Sequence, residues 1–383
     1  MRICHLCLNG PYNEGWNYQE NILPKYHALQ GNDVYQIVTP YIWEGTQLKE
    51  STDKEYINEH GVHIYRCYAK KGLIGGTRFN RYPEVYSLLE KINPEILFIH
   101  DVQCLDMRTV AKYLKKHPHC IVYADNHSDF SNSARNLVSK NIIHKIIWKR
   151  MANIIEPYVR KFYGVLPARV DFLIDVYGLP KDKVELLVMG ADDEIVNDAV
   201  KLGNIIKTRR EFNISEKDFL IVTGGKINSS RPETIELMKA VSEINIPNIK
   251  LLVFGTVSNE LKAEFDKCCS LKNIVYVGWQ ESRKTYYLMA AADLIVFPGL
   301  HSVMWEQSVA VGVPGLFRKI SGFEHIDVGG NVQFLKEPSK ECLKTTIEQL
   351  IQDKQGLKEM KKVALEKGMK MFSYNEISKR SIE

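Results

Sequence analysis

The sequence lacks an apolar run long enough to cross a membrane as a helix, for which about 18 residues are needed. Its first residues, MRICHLCLNG, lack the charged and apolar regions of a signal peptide and begin directly as a strand-like pattern. Disulfide spacing is missing too, because the 8 cysteines are scattered and several lie inside apolar runs, as reduced core thiols do. We therefore expect a cytoplasmic protein.

Strong charge of one sign and the common ion-binding motifs are also missing. The net charge of +5 is too small to indicate a nucleic-acid partner by itself. Cys4 and Cys7 have CxxC spacing, but an alternating strand would turn them to opposite faces, and no second pair completes a zinc site. DxD is absent from the strand ends, and GxGxxG is absent after the first strand. We expect neither a metal nor a nicotinamide cofactor.

Short apolar runs alternate with helical patterns along the whole chain, which predicts parallel sheets covered on both faces. The strand series restarts at Phe219, after a polar and helical stretch. We predict an α/β protein of two doubly wound, Rossmann-like domains that face each other across a cleft. The predicted domains are residues 1–192 and 193–373, with a helix at 374–383 crossing back to the first. Ligands of such sheets bind at the carboxyl ends of strands.

The stretch VTGGKINSSRPE (222–233) predicts an anion site at one strand end. Its two glycines permit a close backbone approach, and Lys226 and Arg231 are two cations that can clamp one pyrophosphate. A basic turn with solvated charges is the alternative.

The stretch LHSVMWEQ (300–307) predicts a second part of that site. Ser302 can cap a helix whose first amides belong to Val303 and Met304, and such a helix start binds anions. His301 can donate to a phosphate oxygen, and Glu306 lies where its carboxylate can accept both hydroxyls of a ribose. The alternative for Glu306 is a structural carboxylate near a helix start.

Polar residues follow three strands of the first half. Gly10 and Gly15 bracket a loop after the first strand, and a plain turn glycine is the alternative for Gly15. Asp101 could orient an acceptor or act as a base, with a loop-capping role as the alternative. His127 ends the strand CIVYAD, where it can hydrogen-bond a sugar hydroxyl or accept a proton near neutral pH.

Residues 134–164 combine isoleucines with a series of lysines and arginines. A basic amphipathic helix of this kind can lie on an anionic membrane surface, here the inner face of the plasma membrane. A solvated face over a domain core is the alternative.

Three stretches, in order, resemble the donor half of GT-B glycosyltransferases of the retaining, bacterial surface-polysaccharide type: VTGGKINSSRPE, VGWQESRKTYYLMAAADLIVFP and HSVMWEQSVAVGVP. The resemblance implies a donor diphosphate on Lys226 and Arg231, a ribose on Glu306 and a transferred sugar on His127. It also implies that the loop at Gly15 closes over the phosphates. The base would lie near Trp279, through backbone contacts, although packing in the core is the more typical role of that ring. The residues leave the base open, and we favour a UDP-sugar over a GDP-sugar.

One position departs from the resembling type, which carries two glutamates eight positions apart. Pro298 stands eight positions before Glu306, so this half has no evident residue to contact the transferred sugar. His301-Ser302 instead resembles a turn of the nucleotide-sugar transferases of secondary metabolism. We still expect retention of the anomeric configuration.

These features predict a metal-independent enzyme that moves a hexose from a nucleoside diphosphate sugar to a lipid-linked or surface-glycan acceptor. Two alternatives remain open. A nucleotide-sugar 2-epimerase shares the double fold and would need paired carboxylates, for which Asp101, Asp125 and Asp129 are the candidates. A nucleotide-binding pseudo-enzyme that scaffolds a partner transferase is the other.

Overall fold

The computed structural model describes residues 1–72 and 77–383, and the statements below concern these residues. Their contacts divide into two compact units. Unit 1 comprises Met1–Met189 and Ile377–Glu383, and unit 2 comprises Gly190–Glu376.

The strands of unit 1 are β1 (Arg2–Cys7), β2 (Asp33–Val38), β3 (Tyr41–Glu44), β4 (Gln47–Glu50), β5 (Glu55–Ile57), β6 (His63–Arg66), β7 (Ile96–His100), β8 (Ile121–Asn126), β9 (Val159–Gly164) and β10 (Val184–Leu186). Eight of those described strands form one sheet, in the order β10-β9-β8-β7-β1-β2-β6-β5. Neighbours are parallel except β5 and β6, and β3 pairs with β4 as a separate antiparallel hairpin. The α-helices are α1 (Gln19–Leu29), α2 (Val85–Ile92), α3 (Met107–Lys116), α4 (Lys149–Ile155) and α5 (Pro167–Asp175).

Unit 2 contains a parallel sheet of six strands, in the order β13-β12-β11-β14-β15-β16. These are β11 (Phe219–Ile227), β12 (Ile249–Val257), β13 (Ile274–Tyr276), β14 (Leu294–Phe297), β15 (Gly315–Arg318) and β16 (Val332–Leu335). The helices are α6 (Asp193–Ala199), α7 (Leu202–Glu211), α8 (Glu233–Ser242), α9 (Lys262–Cys269), α10 (Ser282–Ala290), α11 (Met304–Ala310), α12 (Lys340–Gln352), α13 (Lys354–Val363) and α14 (Met369–Met371). Helix α15 (Tyr374–Arg380) begins in unit 2 and ends in unit 1.

Both sheets show the predicted doubly wound α/β architecture, which confirms the fold class. Every residue of β7 and of β14 is buried, as expected for strands with helices on both faces. Complete burial of each aliphatic side chain contributes about 1.5–3 kcal/mol, so these apolar strands fix the centre of each unit.

The strand order of each sheet reverses at one point, and the reversal places the functional loops. Unit 1 builds outward from β1 to β2 and then restarts at β7 on the other side of β1. Unit 2 reverses in the same way between β11 and β14. The carboxyl ends of the two strands at such a reversal form the usual ligand crevice of an open α/β sheet.

The basic segment 134–164 is not one helix. It contains a π-helix (Ser139–Trp148), α4 and a short 3-10 turn (Glu156–Tyr158), and its last six residues form β9. Pro157 follows α4 directly and has no N–H to continue the helical hydrogen bonds, which explains the break. Along the parts of the chain that the structure describes, no helix is both long and apolar enough to cross a membrane.

Candidate active site

The carboxyl ends of β1, β7 and β8 bring the sequence-predicted residues of unit 1 together. His100 ends β7, Asp101 follows it, and His127 follows β8. The Asp125 carboxylate lies at their centre. Its Oδ2 is 2.9 Å from His100 Nδ1 and 3.4 Å from His127 Nε2, and its Oδ1 accepts the Asp101 N–H at 2.9 Å.

Asp125 and His127 form an ion pair that fixes their charges. Burial alone would raise the pKa of Asp125, but His127 and His100 beside it hold that pKa well below its usual range. Burial alone would lower the pKa of His127, but the Asp125 carboxylate raises it to about 9. His127 therefore carries a proton on both ring nitrogens near neutral pH. It can donate a hydrogen bond there, and its role as a proton acceptor stays a prediction.

The Asp101 carboxylate binds the backbone of the loop that carries His127. Its Oδ1 accepts the His127 N–H and its Oδ2 accepts from Asn9 Nδ2, both at 2.9 Å. Its backbone has φ = 64°, a left-handed conformation that is uncommon for residues other than glycine and often marks a functional site. With both carboxylate oxygens engaged in this way, Asp101 fits the loop-capping alternative, and its role toward an acceptor or as a base stays a prediction.

Gly15 lies in an exposed turn with φ = 75°, and a Cβ there would meet no other atom. Its glycine is explained by the backbone conformation alone. The structure of unit 1 therefore supports the turn-glycine alternative, and the role of Gly15 at the phosphates stays a prediction.

In unit 2, β11 and β14 end side by side, which brings the two predicted phosphate loops together. Gly225 has φ = 120°, and a Cβ on it would come within 2.8 Å of Met304 Cε at the start of α11. Glycine is thus required twice over, by its backbone conformation and by the close approach of α11. Arg231 Nη2 reaches the carbonyl oxygen of His301 at 3.4 Å, which ties the two loops.

Glu306 is the most unusual residue of this loop pair, because its carboxylate is fully buried in α11. His301 Nε2 and His325 Nε2 both donate to its Oε1, at 2.9 and 2.8 Å. Its other oxygen, Oε2, is buried without a hydrogen-bond partner among the described residues. Burial alone would raise the pKa of Glu306, but His301 and then His325 lower it to about 2, so the carboxylate is ionised. One oxygen, Oε2, remains for ligand hydroxyls.

His301 and Ser302 differ from their predicted geometry. His301 Nε2 is occupied by Glu306, so only Nδ1 remains for a phosphate oxygen. Ser302 does not cap α11 with its side chain. The N-cap residue is Val303, whose φ of −55° and ψ of −17° are already helical, and the Ser302 carbonyl accepts from Trp305 N–H. No described residue accepts a hydrogen bond from the Val303 amide, which leaves that N–H for an anion.

The remaining predicted residues of unit 2 are Lys226 and Trp279. Lys226 is the next-to-last residue of β11 and has an exposed side chain, to which the described residues offer no ion pair. The Trp279 ring is 67% exposed, so the alternative that it packs in the core is wrong. The tight backbone after β13 explains this: Gly278 has φ = 72° and accepts a hydrogen bond from Gly255 N–H, which holds the chain at the surface.

Sequence reasoning missed two residues at this site. His325 follows β15, the neighbour of β14, and a histidine just after a strand end was the available signal. Glu233, at the start of α8, pairs through Oε1 with Arg318 at 2.6 Å, whereas its Oε2 is buried and unpaired. A Cβ on Gly299 would lie 3.3 Å from that oxygen, so Glu233 faces the loop that lacks the expected carboxylate at Pro298.

Two clusters have the spacing of a three-residue metal site, one in each unit. The ligand atoms of His100, Asp125 and His127 lie within 4.8 Å of one another, and so do those of His301, Glu306 and His325. In both clusters the carboxylate already receives two or more N–H donors from the chain. Hydrogen bonding therefore accounts for both arrangements without an ion.

The family model of the glycosyl transferases group 1 matches residues 204–367, which lie within unit 2. Over these residues the chain is similar to glycosyltransferases, and solved glycosyltransferase structures share its fold. No curated protein sequence matches it.

Solved structures share the fold of this chain at low sequence identity. A glycosyltransferase from Rickettsia africae is 12% identical, with a TM-score of 0.68 over 99% of this chain and 96% of its own. HepE from Anabaena, solved with UDP, is 14% identical, with a TM-score of 0.66 over 99% and 98%. A UDP-GlcNAc 2-epimerase from Neisseria meningitidis is 13% identical, with a TM-score of 0.64 over 99% and 98%. Since a UDP-GlcNAc 2-epimerase shares the fold, the fold alone does not separate the two activities.

Proposed function

We propose that the enzyme transfers a hexose from a nucleoside diphosphate sugar to a lipid-linked or surface-glycan acceptor, without a metal ion and with retention. UDP is favoured over GDP as the carrier. Solved complexes of HepE contain UDP and UDP-glucose, which supports a uridine donor for this fold.

The buried Glu306 carboxylate is the observation that carries the proposal. An ionised carboxylate buried with one unpaired oxygen costs free energy unless a ligand or a water satisfies it. A ribose hydroxyl is a neutral donor of the right kind, and His301 and His325 hold the acceptor in place from its other oxygen. We assign the ribose to Glu306 Oε2.

Three groups next to Glu306 are suited to the diphosphate. The Val303 amide is free, and the glycine at 225 lets a phosphate approach the backbone. Lys226 and Arg231 bring two positive charges to the same pair of loops. Such donors neutralise charge on the leaving diphosphate as the glycosidic bond breaks, which is the role of a metal in other transferases. The proposal therefore needs no metal ion.

Two residues are our candidates for the transferred sugar, and each is argued from its own unit. His127 is a cation aimed by Asp125, and it can donate to a sugar hydroxyl. Glu233 has a free carboxylate oxygen beside Gly299, so we assign to it the sugar contact that Pro298 cannot make. A carboxylate near the anomeric carbon can stabilise positive charge that develops there, which supports retention.

The acceptor side is proposed from a surface of unit 1, the basic apolar surface. Its exposed apolar side chains are Phe130, Leu137, Val138, Ile142 and Ile146, of which Leu137 is 78% and Ile146 60% exposed. A cavity of about 1070 Å³ adjoins them and is lined in part by Arg78, Arg135 and Lys140. Apolar side chains among cations fit a lipid carrier with an anionic head group at a membrane surface.

Transfer of labelled hexose from a UDP-sugar to extracted lipid-linked acceptor tests the proposal. We expect a labelled lipid product whose anomeric configuration matches the donor, formed equally well in EDTA. Loss of transfer in EDTA with recovery on adding Mg²⁺ or Mn²⁺ would remove metal independence. A 2-epimer formed from UDP-N-acetylglucosamine alone would establish the epimerase alternative, and binding of UDP without transfer or donor hydrolysis would establish the pseudo-enzyme.

A further inference from the structure

Three histidines of unit 1 form a single file of hydrogen bonds that ends on Asp125. His27 Nδ1 lies 2.9 Å from His5 Nε2, and His5 Nδ1 lies 2.9 Å from His100 Nε2. His100 Nδ1 lies 2.9 Å from Asp125 Oδ2. The file crosses the sheet from α1 through the middle of β1 to the end of β7. It therefore links α1 to the predicted sugar-binding residues.

The outer end of the file meets the last residues of the chain. His27 Nε2 lies 3.0 Å from the Ser378 carbonyl oxygen and 3.1 Å from Ser381 Oγ. The Ser381 hydroxyl is also 2.7 Å from that carbonyl. The file thus runs between two acceptors, a carbonyl oxygen outside and a carboxylate inside.

Counting protons fixes the direction of the file. Its four links join Asp125 to His100, His100 to His5, His5 to His27, and His27 to the C-terminal segment, and each link needs one hydrogen. Three neutral imidazoles supply three, because a neutral ring has one N–H donor and one acceptor nitrogen. A fourth hydrogen has to come either from an extra proton on a ring or from the Ser381 hydroxyl.

Burial excludes an extra proton on His5 and on His27. His5 and His27 have no exposed surface. Burial lowers the pKa of His5 well below its usual range and the pKa of His27 to about 4. Both rings are therefore neutral at physiological pH. With these two rings neutral, the Ser381 hydroxyl can supply the fourth hydrogen, because it can turn from the Ser378 carbonyl to His27 Nε2 within the observed distances.

We propose that Ser381, His27, His5 and His100 form one directed hydrogen-bond file that donates inward to Asp125, and that all four are positioning residues for His127. Each ring then carries its proton on Nδ1 and accepts on Nε2. The reverse direction would point the lone pair of His100 Nδ1 at the ionised Asp125.

The inward direction matters because Asp125 holds several groups at once. Gln19 Nε2 donates to Asp125 Oδ2, the oxygen that His100 contacts, at 3.2 Å, and the half-buried Glu20 is a nearby carboxylate. The Asp101 carboxylate raises the pKa of His127 and the Arg169 guanidinium lowers it, each from a different part of the unit. A fixed donor from His100 keeps Asp125 ionised and in one orientation among these groups. The effect on transfer rests on the proposed function of His127, whereas the protonation pattern of the file does not.

Imidazole ¹⁵N spectra of the full chain, labelled at histidine, test the file directly. Each ring is assigned from its own His→Gln variant. At pH 7 we expect His5, His27 and His100 to be neutral and protonated on Nδ1. Protonation on Nε2 in any of the three, or a doubly protonated ring among them, would overturn the proposal. The outcome is read on the wild-type chain and needs no enzymatic activity.

Two matched serine variants test the outer end. Ser381→Ala removes the proposed donor, so the ¹⁵N signal of His27 Nε2 should move as its hydrogen bond is lost. Ser378→Ala removes a hydroxyl from the adjoining helix α15 but keeps the carbonyl, and should leave that signal in place. An unmoved His27 signal in folded Ser381→Ala contradicts the directed file.

Variants of His5 test the positioning role. His5→Phe interrupts the file, and we expect kcat to fall at least 10-fold with unchanged UDP affinity, since UDP binds unit 2. His5→Gln keeps a donor and an acceptor and should restore part of kcat. Wild-type kcat in folded His5→Phe, with the predicted tautomers present, would remove the positioning role. If the wild-type protein does not bind UDP, the proposed function is instead refuted.

Discussion

The carboxylate of Glu306 and the imidazole of His325 lie 2.8 Å apart, although 19 positions separate them in the chain. His325 is almost fully buried, with 2% of its side chain exposed. Together with His301 it binds one oxygen of Glu306 and leaves the other free. The free oxygen is what we assign to a ribose.

Replacing His325 should weaken this arrangement in a pH-dependent way. The Glu306 pKa of about 2 is depressed, so its contribution to stability is present above the ordinary glutamate pKa and is lost as pH falls through about 2. In His325→Ala the pKa rises, and that loss begins at higher pH. Acid unfolding followed by circular dichroism should show a higher midpoint pH for His325→Ala. His325→Gln retains a donor and should lie closer to wild type, and equal midpoints for all three proteins would contradict the pairing.

Removing either cation of the phosphate loops should lower kcat rather than only raise KM. An interaction that strengthens as the diphosphate leaves stabilises the transition state more than the bound donor. Lys226→Ala and Arg231→Ala should each cost on the order of 100-fold in kcat at saturating donor. Arg231→Lys should also be harmful, because a point charge does not reproduce a bidentate fork. Lys272→Ala, an exposed lysine of the same unit, is the control. Near wild-type kcat in both folded alanine variants would contradict the proposed role of Lys226 and Arg231 at the diphosphate.

The ion pair of His127 and Asp125 predicts a stability loss at alkaline pH. The His127 pKa is raised to about 9, so its contribution is fully present below the ordinary histidine pKa and is lost as pH rises through about 9. A shift of this size corresponds to a contribution on the order of 2–3 kcal/mol. Urea unfolding at pH 7 and pH 10 should show this loss in wild type. His127→Asn should lack it, and the exposed His119→Asn should keep it. An unchanged pH dependence in His127→Asn would refute the pair.

The basic apolar surface should bind anionic vesicles through its exposed isoleucines. Ile142→Ser with Ile146→Ser removes two side chains that are 50% and 60% exposed, so it should reduce cosedimentation with phosphatidylglycerol vesicles without loss of stability. Ile57→Ser removes an equally exposed isoleucine elsewhere in unit 1 and should have no effect. Equal vesicle binding by all variants would assign the segment to a solvated face.

The sequence predicted contacts between residues that are close along the chain or that follow adjacent strands. His301 and Glu306 lie on one loop, and their closeness follows from the helical spacing. The strand-end rule also placed Asp101 and His127 together, because β7 and β8 are adjacent in the sheet. The predicted boundary at 192/193 differs by three residues from the division of contacts after Met189.

Contacts between distant segments were not predictable in the same way. His325 reaches Glu306 only because β15 pairs with β14, and Glu233 meets Gly299 only because β11 is the other neighbour of β14. His5 and His27 look like isolated polar residues in apolar patterns until β1, α1 and the last residues pack. The sequence carried a signal for them, a histidine inside RICHLCL, but no pattern that names its partners.

The affinity of UDP for Glu306→Ala, measured by calorimetry, tests the central claim most directly. Loss of a hydrogen bond to a charged carboxylate costs about 1.5–3 kcal/mol, which is about a 10- to 100-fold weaker Kd. Glu341→Ala removes a carboxylate of the same unit whose side chain is 77% exposed, and it should bind UDP as wild type does. We predict weaker binding by folded Glu306→Ala alone; wild-type affinity in that variant would contradict the assignment of the ribose to Glu306.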